Sequence, residues 1–242
     1  MNRENYNISI LTEGCKKVGV SLNDRQIDQF LIYYEHLVEK NKVMNLTGIT
    51  EYEEVVLKHF VDSLSIAQAV DLNQCSSLMD MGTGAGFPGL PLKIAFPHLQ
   101  VVLMDSLNKR IQFLNEVIEM TGLENISAIH SRAEDAARKK EYREQFDLCV
   151  SRAVANLSTL SEYCIPFVKK NGVFVSYKSM EVDGELKGAK GALFLLGGKL
   201  KEKKEFYLPD SDIGRSFVIV QKEKETPKKY PRKAGIPVKE PL

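Results

Sequence analysis

Four glycines fall within eight residues between Gly82 and Gly89, and this segment constrains the fold more than any other. The apolar run at 77–81 before it is typical of a buried strand, and the stretch from Pro91 to Ala95 after it is typical of a helix. Glycine adopts dihedrals that other residues avoid and lets a ligand approach the main chain, while the following helix offers unpaired N–H groups. This order predicts a nucleotide-type cofactor site in an α/β domain.

Short apolar runs alternate with helical stretches from about residue 77 onwards, which indicates βαβ units and a largely parallel sheet. The predicted strands of this part lie at 77–81, 100–105, 126–130, 146–151 and 172–177. The clearest helix begins near Asn108, and its predicted apolar face consists of Leu107, Ile111, Leu114 and Ile118.

The end of the predicted sheet bears on the fold class. After a predicted helix at 183–196, two strands near 205–208 and 216–221 are close enough in sequence to form an antiparallel pair. A Rossmann dehydrogenase would more often continue with a helix and a parallel strand. The pattern therefore favours a Rossmann-like class I methyltransferase fold, with a mostly parallel seven-stranded sheet and a reversed C-terminal strand.

Helical spacing dominates the first third of the chain. Apolar residues recur at this spacing over 27–38, and Asn23 with Gln26 resembles a capping box that begins the helix. A second apolar stripe over 56–67 predicts another helix after the turn at 45–48. The predicted organisation is a helical extension over 1–72, a cofactor-binding domain over 73–222 and an irregular basic tail over 223–242.

Charge and cysteine content argue against several protein classes. The 33 basic and 32 acidic residues give a formal net charge of +1, but residues 1–70 are net acidic and residues 222–242 are net basic. The four cysteines are widely spaced and lack histidines at zinc-ligand spacing, so neither a metal site nor a disulfide framework is expected. Because the sequence shows no signal-peptide layout and no bilayer-length apolar run, we expect a cytoplasmic protein, monomeric and without a membrane partner.

Two acidic residues bear on the cofactor. Read from Gly84, the turn matches the Gly-x-Gly-x-x-Gly pattern of dinucleotide sites, which is weak evidence on its own. Asp80 precedes the first glycine by two residues, where a carboxylate would repel a pyrophosphate but tolerate a sulfonium cofactor with an ammonium group. Asp105 ends the next strand, where it could accept hydrogen bonds from a ribose or simply cap a helix. S-adenosylmethionine is therefore favoured, and an NAD-dependent oxidoreductase is the alternative.

Six segments spread over nearly the whole chain carry a more specific signal: Met-Asn-Leu-Thr (44–47), Lys-His-Phe-Val-Asp-Ser-Leu (58–64), Asp-Met-Gly-Thr-Gly-Ala-Gly-Phe-Pro-Gly-Leu-Pro (80–91), Met-Asp-Ser-Leu-Asn-Lys-Arg (104–110), Ser-Arg-Ala (151–153) and Lys-Tyr-Pro-Arg-Lys-Ala-Gly-Ile-Pro (229–237). Together they resemble the glucose-inhibited division protein B family, also called RsmG. The resemblance implies S-adenosylmethionine-dependent methylation of N7 of guanine 527 in 16S rRNA, with the RNA or the 30S subunit as partner. One departure is Tyr177-Lys-Ser179, where the family is expected to favour a lysine followed by glycine.

The predicted cofactor contacts combine the glycine pattern, which supplies Gly84 and Asp105, with positions that the resemblance implies, namely Gly82, Phe87, Ala133, Glu134 and Arg152. Ala133 and Glu134 follow the third strand, where an adenine would lie, although glutamate is also favoured at a solvated helix start. Arg152 ends the fourth strand, where it could contact the methionine carboxylate, the substrate or an RNA phosphate, or form a surface ion pair.

Basic residues of the tail predict salt-dependent contacts with RNA phosphates, and these are Lys228, Lys229, Arg232 and Lys233. Lys109 and Arg110 could add such contacts beside the cofactor edge, and Tyr230 could stack on a base. A solvated tail without an RNA role is the alternative. A non-enzymatic RNA-binding or ribosome-assembly factor would bind in the same way without transferring a methyl group.

Guanine N7 has a lone pair and no proton, so methyl transfer to it needs positioning rather than a general base. No catalytic residue is therefore required by the chemistry. Asn45 and Asp62 are the candidates that the sequence offers, and His59 lies three residues before Asp62 as an acid–base partner. For His59 and Asp62 a polar helix face is the favoured interpretation, and Asn45 could equally belong to an ordinary turn.

Overall fold

The computed structural model describes residues 3–242, in which seven strands form one sheet. In chain order these strands are β1 (Ser77–Met81), β2 (Gln100–Asp105), β3 (Ile126–His130), β4 (Phe146–Arg152), β5 (Val168–Lys178), β6 (Gly198–Tyr207) and β7 (Gly214–Lys222). Their spatial order is β3-β2-β1-β4-β5-β7-β6, with β7 antiparallel to both of its neighbours and the other pairs parallel. The predicted class I methyltransferase topology with a reversed C-terminal strand is confirmed.

The strand bounds agree closely with the sequence pattern at β1, β2 and β3. The main difference is β6, which begins seven residues before the predicted strand at 205–208. The sequence pattern missed the first half of β6 because that half is rich in exposed lysine and glutamate. Such residues hide the apolar alternation that marks a strand, and they are common on edge strands, where charge discourages pairing with another chain.

The α-helices of residues 3–242 are α1 (Ile8–Lys17), α2 (Asp24–Met44), α3 (Tyr52–Val55), α4 (Asp62–Leu64), α5 (Gly89–Ala95), α6 (Asn108–Thr121), α7 (Ala133–Ala136), α8 (Leu157–Cys164), α9 (Asp183–Leu195) and α10 (Ile236–Lys239). Short 3-10 turns lie at Arg3–Asn5, Ser65–Gln68, Leu72–Gln74 and Ile165–Phe167. No helix in this part of the chain combines the length and the apolarity that a membrane crossing requires.

The predicted capping box begins α2. Asn23 Oδ1 accepts a hydrogen bond from the Gln26 N–H at 3.0 Å, and Gln26 Oε1 accepts one from the Asn23 N–H at 2.8 Å. The helix ends at Met44, and the C-cap residue Asn45 that follows has a left-handed φ of 50°. The second predicted helix, over 56–67, is not a regular α-helix, because π-helical turns at Val56–Val61 separate α3 from α4.

Two apolar clusters cover the two faces of the sheet, as the alternation of side chains along a strand requires. Helices α1 to α6 pack on one face around buried aromatic residues that include Phe30, Phe60 and Phe113. Helices α7 to α9 cover the other face. The predicted extension over 1–72 therefore shares a core with the sheet, and its first two residues lie outside the described residues. Leu107 does not join the apolar face of α6, because it precedes the helix and is 44% exposed.

The predicted tail over 223–242 is irregular except for α10, but it is packed rather than loose. Thr226 and Tyr230 are buried. The Arg143 guanidinium donates hydrogen bonds to the carbonyls of both residues, at 2.7 and 3.0 Å. The irregular tail is therefore packed against the domain, and the alternative of a fully solvated tail does not describe its backbone.

Candidate active site

The glycine turn follows β1 at the carboxyl edge of the sheet, where parallel α/β folds bind their ligands. Gly86 has a φ of 104°, and a Cβ there would lie 2.4 Å from Leu90 Cδ1. A Cβ on Gly89 would lie 2.3 Å from Leu103 Cδ2. These two positions accept only glycine, because the turn packs directly against the helix and the strand that follow it. The Tyr33 hydroxyl of α2 donates to the Ala85 carbonyl, so the N-terminal helices hold the turn from outside.

Asp80 stabilises this turn from inside the protein and does not face the cofactor site. Its side chain is fully buried, and its Oδ2 accepts hydrogen bonds from the Thr83 hydroxyl at 2.5 Å and the Gly89 N–H at 2.8 Å. Burial raises the pKa of this carboxyl to about 6, although both hydrogen bonds oppose the shift. The predicted choice of a sulfonium cofactor over a pyrophosphate is not made at the surface of this carboxylate, because the side chain points into the protein.

Asp105 lies at the end of β2 and is 3% exposed. Its Oδ2 accepts hydrogen bonds from the Gly84 N–H at 3.0 Å and from Arg110 Nη1 at 3.1 Å, and its Oδ1 accepts one from the Leu107 N–H at 2.9 Å. The carboxylate thus joins the glycine turn to the start of α6. Arg110, which the sequence offered as a phosphate contact, is half-buried in this ion pair.

A cavity of about 290 Å³ opens beside the turn, and we call it the cofactor cavity. Its lining joins the ends of β1, β2, β3 and β4 to α7 and the C-terminal tail: Met81, Gly82, Met104, Asp105, Ser106, Ser131, Arg132, Ala133, Glu134, Val154, Tyr163, Gly235 and Val238. Four predicted cofactor residues, Gly82, Asp105, Ala133 and Glu134, are therefore brought together. A Cβ on Gly84 would meet no atom within 4 Å, so the turn leaves open space at that position.

The walls of the cofactor cavity fit S-adenosylmethionine chemically. The carboxylates of Asp105 and Glu134 are buried acceptors suited to hydroxyl and amino groups. Apolar surface from Met104 and Val154 suits an adenine or a thioether. The volume is at the lower end of the ~300–1,000 Å³ typical of small-molecule sites.

A second cavity, of about 480 Å³, lies at the end of β4. Its lining is rich in basic side chains and consists of Ile49, Lys58, His59, Asp62, Arg152, Ala153, Tyr177, Lys178, Ser179 and Arg215. The chain passes directly between the two cavities, because Arg152 and Ala153 line the second and Val154 lines the cofactor cavity. Arg152, predicted as a cofactor contact, therefore lies in the second cavity.

Asp62 organises the basic side chains of the second cavity. Its side chain is 4% exposed, and it forms ion pairs with Arg152 Nη1 at 2.8 Å and with Arg215 Nε at 3.1 Å. Arg152 also lies over the Phe87 ring, with 5.0 Å from Cζ to the ring centroid. Two guanidinium groups are thus held by one carboxylate, and each keeps further N–H donors.

His59 packs against the same aromatic ring and is unsuited to acid catalysis. Its imidazole stacks on Phe87 at 4.5 Å between centroids, and its Nε2 lies 2.8 Å from the Thr47 hydroxyl. Burial, with the nearby Arg152 charge, lowers the pKa of His59 to about 3. The side chain is therefore neutral near pH 7, and Asp62 pairs with arginines rather than with this histidine. Phe87 itself is buried and does not line the cofactor cavity.

The remaining predicted site residues differ in accessibility. Lys228, Lys229 and Lys233 are exposed on the tail, and Asn45 is exposed at the end of α2. Lys109 is also exposed, and its Nζ donates to the Met44 carbonyl at 3.3 Å. Tyr230, offered as a stacking residue, is 6% exposed and cannot receive a base in this conformation. Arg232 is held by the buried Glu162 carboxylate, with Nη2 to Oε2 at 2.7 Å.

Sequence reasoning missed Lys58, Lys178 and Arg215 in the second cavity. Lys178 ends β5, and the position of Arg215 follows from the reversed strand. Because β7 runs antiparallel, its first residues lie at the edge where the parallel strands end, and Lys178 pairs with Ser216 in the register. The departure at Tyr177-Lys-Ser179 is accommodated, since β5 continues to Lys178 and the Tyr177 hydroxyl donates to the Ser63 carbonyl at 2.8 Å.

Comparison with known proteins identifies the family of this chain. The GidB family model, described as rRNA small subunit methyltransferase G, matches residues 26–213. The chain belongs to the rRNA small subunit methyltransferase G family. A protein of that name from Lachnoclostridium phytofermentans is 57% identical over 97% of each chain. Another, from Bacillus subtilis, is 50% identical and covers 98% of this chain and 99% of its own length.

Solved structures support the fold alone. An S-adenosylmethionine-dependent O-methyltransferase from Thermotoga maritima aligns with a TM-score of 0.51 at 14% identity, over 79% of this chain and 72% of that chain. A ribosomal protein L11 methylase from Lactobacillus delbrueckii subsp. bulgaricus has the same TM-score and identity, over 69% and 79%.

Membership of the rRNA small subunit methyltransferase G family confirms the predicted resemblance and an S-adenosylmethionine-dependent rRNA methyltransferase. The NAD-dependent oxidoreductase and the non-enzymatic RNA-binding factor are set aside by this finding. Within residues 3–242, no group of three or more His, Cys, Asp or Glu side chains is arranged to hold a metal ion.

Proposed function

We propose that the protein methylates N7 of guanine 527 in 16S rRNA, in the cytoplasm and as a monomer. The observation that carries this proposal is a pair of cavities lined by consecutive residues, with Arg152 and Ala153 in the second cavity and Val154 in the cofactor cavity. The cofactor cavity has walls that suit S-adenosylmethionine, and the second cavity is lined by basic side chains. A methyl group has to pass between two such sites over a short distance.

The second cavity is suited to a purine nucleotide. Its Arg152 and Arg215 guanidinium groups can donate to the guanine O6 or to a phosphate, and Lys58, which forms an ion pair with Glu54, also lines the cavity. Arginine commonly bridges O6 and N7 of guanine, but a reacting N7 needs its lone pair free. We therefore assign the arginines to O6 and the backbone phosphates, which leaves N7 directed towards the cofactor cavity.

The reaction requires little proton chemistry. S-adenosylmethionine supplies an electrophilic methyl group, so the sulfur–carbon bond breaks as the nitrogen–carbon bond to N7 forms. N7 carries no proton that must leave, and no side chain has to act as a base. The neutral state of His59 is consistent with this, because its ring serves to pack Phe87 and Arg152. Positioning by the two cavities then accounts for the rate.

Exposed lysines of the tail are the proposed contacts with RNA phosphates outside the cavities, and they are Lys228, Lys229 and Lys233. Arg232 is not proposed for this role, since both of its bonded nitrogens face Glu162. Lys109 donates a hydrogen bond to the Met44 carbonyl at the end of α2, and it is proposed as a further contact with an RNA phosphate.

The test uses the purified protein with labelled S-adenosylmethionine and three substrates: 30S subunits lacking the modification, deproteinised 16S rRNA and fully modified 30S subunits. Label on guanine 527, located by primer extension after cleavage at N7-methylguanine, is the expected result. The fully modified subunits should accept no label. Label on another nucleotide, or on a ribosomal protein, would refute the proposal, and the first two substrates together identify which form of the RNA is used.

A further inference from the structure

The C-terminal tail contributes a wall to the cofactor cavity. Gly235 and Val238 line it, although they lie 72 residues or more downstream of Tyr163, the nearest other lining residue in sequence. The Gly235 N–H donates to Glu134 Oε1 at 3.3 Å, which joins the tail to α7. The motif Lys-Tyr-Pro-Arg-Lys-Ala-Gly-Ile-Pro therefore reaches the cofactor site and is more than a source of positive charge.

The segment is held in this position from both sides. Upstream, Arg232 forms two hydrogen-bonded contacts with Glu162 of α8, Nη2 to Oε2 at 2.7 Å and Nε to Oε1 at 3.0 Å, and its own N–H donates to Oε1 at 2.7 Å. Glu162 is 0% exposed. Downstream, the Thr159 hydroxyl donates to the Pro237 carbonyl at 2.9 Å, and the Ser158 hydroxyl donates to the Leu242 carbonyl at 2.6 Å.

A buried carboxylate must be paired, because an isolated one carries a large desolvation cost. Glu162 therefore fixes Arg232, and with it the start of the loop that carries Gly235 and Val238. The apolar Val238 side chain is 62% exposed, which leaves much of it free to contact a ligand in the cavity.

We infer that residues 232–238 are a cofactor-binding element, with Val238 contacting S-adenosylmethionine and Arg232 acting as a positioning residue through Glu162. The inference rests on the S-adenosylmethionine dependence that family membership shows, and it does not depend on which nucleotide is methylated. It separates the tail into an inner face for the cofactor and an outer face of lysines for RNA.

Calorimetric titration with S-adenosylmethionine, without RNA, tests the inner face. Val238→Ala should raise the dissociation constant about threefold, because it removes part of an apolar contact with the ligand. Val238→Asp should raise it at least about tenfold, since a carboxylate would replace the apolar contact in a cavity that already holds the carboxylates of Asp105 and Glu134. Val43→Asp is the matched control, because Val43 is a similarly exposed valine that does not line the cavity, and its dissociation constant should not change.

Steady-state kinetics test the positioning role. Arg232→Gln should raise the KM for S-adenosylmethionine with little effect on the KM for RNA, and Arg232→Lys should restore part of the loss. Replacing Lys228, Lys229 and Lys233 together by alanine should raise only the KM for RNA. The inference is overturned if both Val238 variants bind S-adenosylmethionine as the unmodified chain does. If the Val238 variants weaken cofactor binding as expected but the methyl label lies outside guanine 527, only the proposed function is refuted.

Discussion

Replacing Asp62 by asparagine tests the central arrangement of the second cavity. The carboxylate holds Arg152 at 2.8 Å and Arg215 at 3.1 Å, and the three side chains are 4, 15 and 26% exposed, so solvent screens the pairs only partly. Asparagine keeps the shape and one acceptor oxygen but removes the charge that neutralises the arginines. It also directs an N–H₂ group at one of them.

The expected loss of unfolding free energy is about 3 kcal/mol, at the low end of what breaking a buried ion pair costs, because one acceptor remains and Arg215 can reach water. This corresponds to roughly a hundredfold in the folding equilibrium. Methyl transfer should fall by roughly a hundredfold as well, since misplacing a positioning group by about 1 Å has effects of that size.

Urea titrations measure the first quantity, and single-turnover methylation of unmodified 30S subunits measures the second. Asp24→Asn is the matched control, because Asp24 pairs with Arg3 but its side chain is 87% exposed, and the change should stay within about 0.5 kcal/mol. The reasoning is refuted if Asp62→Asn unfolds and methylates like the unmodified chain. Equal losses in both aspartate variants would also refute it, because burial would then have no role.

Further predictions concern pH, packing and RNA binding. Burial raises the pKa of Asp80 from 3.8 to about 6, so the unfolded chain ionises first and the unfolding free energy should fall as pH rises through this window. Asp80→Asn should remove that slope in urea titrations at several pH values. Burial lowers the pKa of His59 from 6.5 to about 3, so this group contributes stability above pH 6.5 that is lost as pH falls towards 3. His59→Gln should reduce that acid loss, and kcat should stay flat from about pH 6 to 9; a titrating step in that range would contradict the assignment of a neutral histidine without a base. Gly89→Ala should destabilise the fold by about 1–3 kcal/mol through overpacking, whereas Gly191→Ala, where nothing lies within 4 Å of the new Cβ, should stabilise α9 by up to about 1 kcal/mol. Equal shifts in melting temperature for the two alanine variants would contradict this. Alanine at all three exposed tail lysines should lower the slope of log affinity for RNA against log salt by about 2–3; an unchanged slope would exclude phosphate contacts at Lys228, Lys229 and Lys233.

The sequence alone determined the features that depend on neighbouring residues. The bounds of β1, β2 and β3 and the capping box at Asn23 followed from apolar spacing and from side chains three residues apart. The glycine turn was equally visible, since its dihedrals are a local property of glycine. The order of these elements was sufficient to predict the topology, because parallel strands with intervening helices have few alternative arrangements.

Only the tertiary structure decided which side chains face a ligand. Asp80 and Asp105 look alike in sequence, each an acidic residue at the end of a strand, yet Asp80 is turned inward to the glycine turn and Asp105 lines the cofactor cavity. Tyr230 was likewise assigned to the wrong surroundings, whereas Arg152 was left with several alternatives and the structure shows its ion pair with Asp62. The direction of a side chain depends on the element that packs against it, and local spacing carries no information about that partner.

The contacts that the sequence predicted least well are those between distant parts of the chain. Asp62 and Arg215 are 153 residues apart, and Glu134 and Gly235 are 101 residues apart. The first pair meets because a reversed strand brings its beginning to the edge where parallel strands end. The second pair meets because a buried glutamate on α8 anchors an arginine in the tail. The sequence therefore determined the fold and the glycine turn, whereas strand direction and buried charge pairing assembled the two cavities around them.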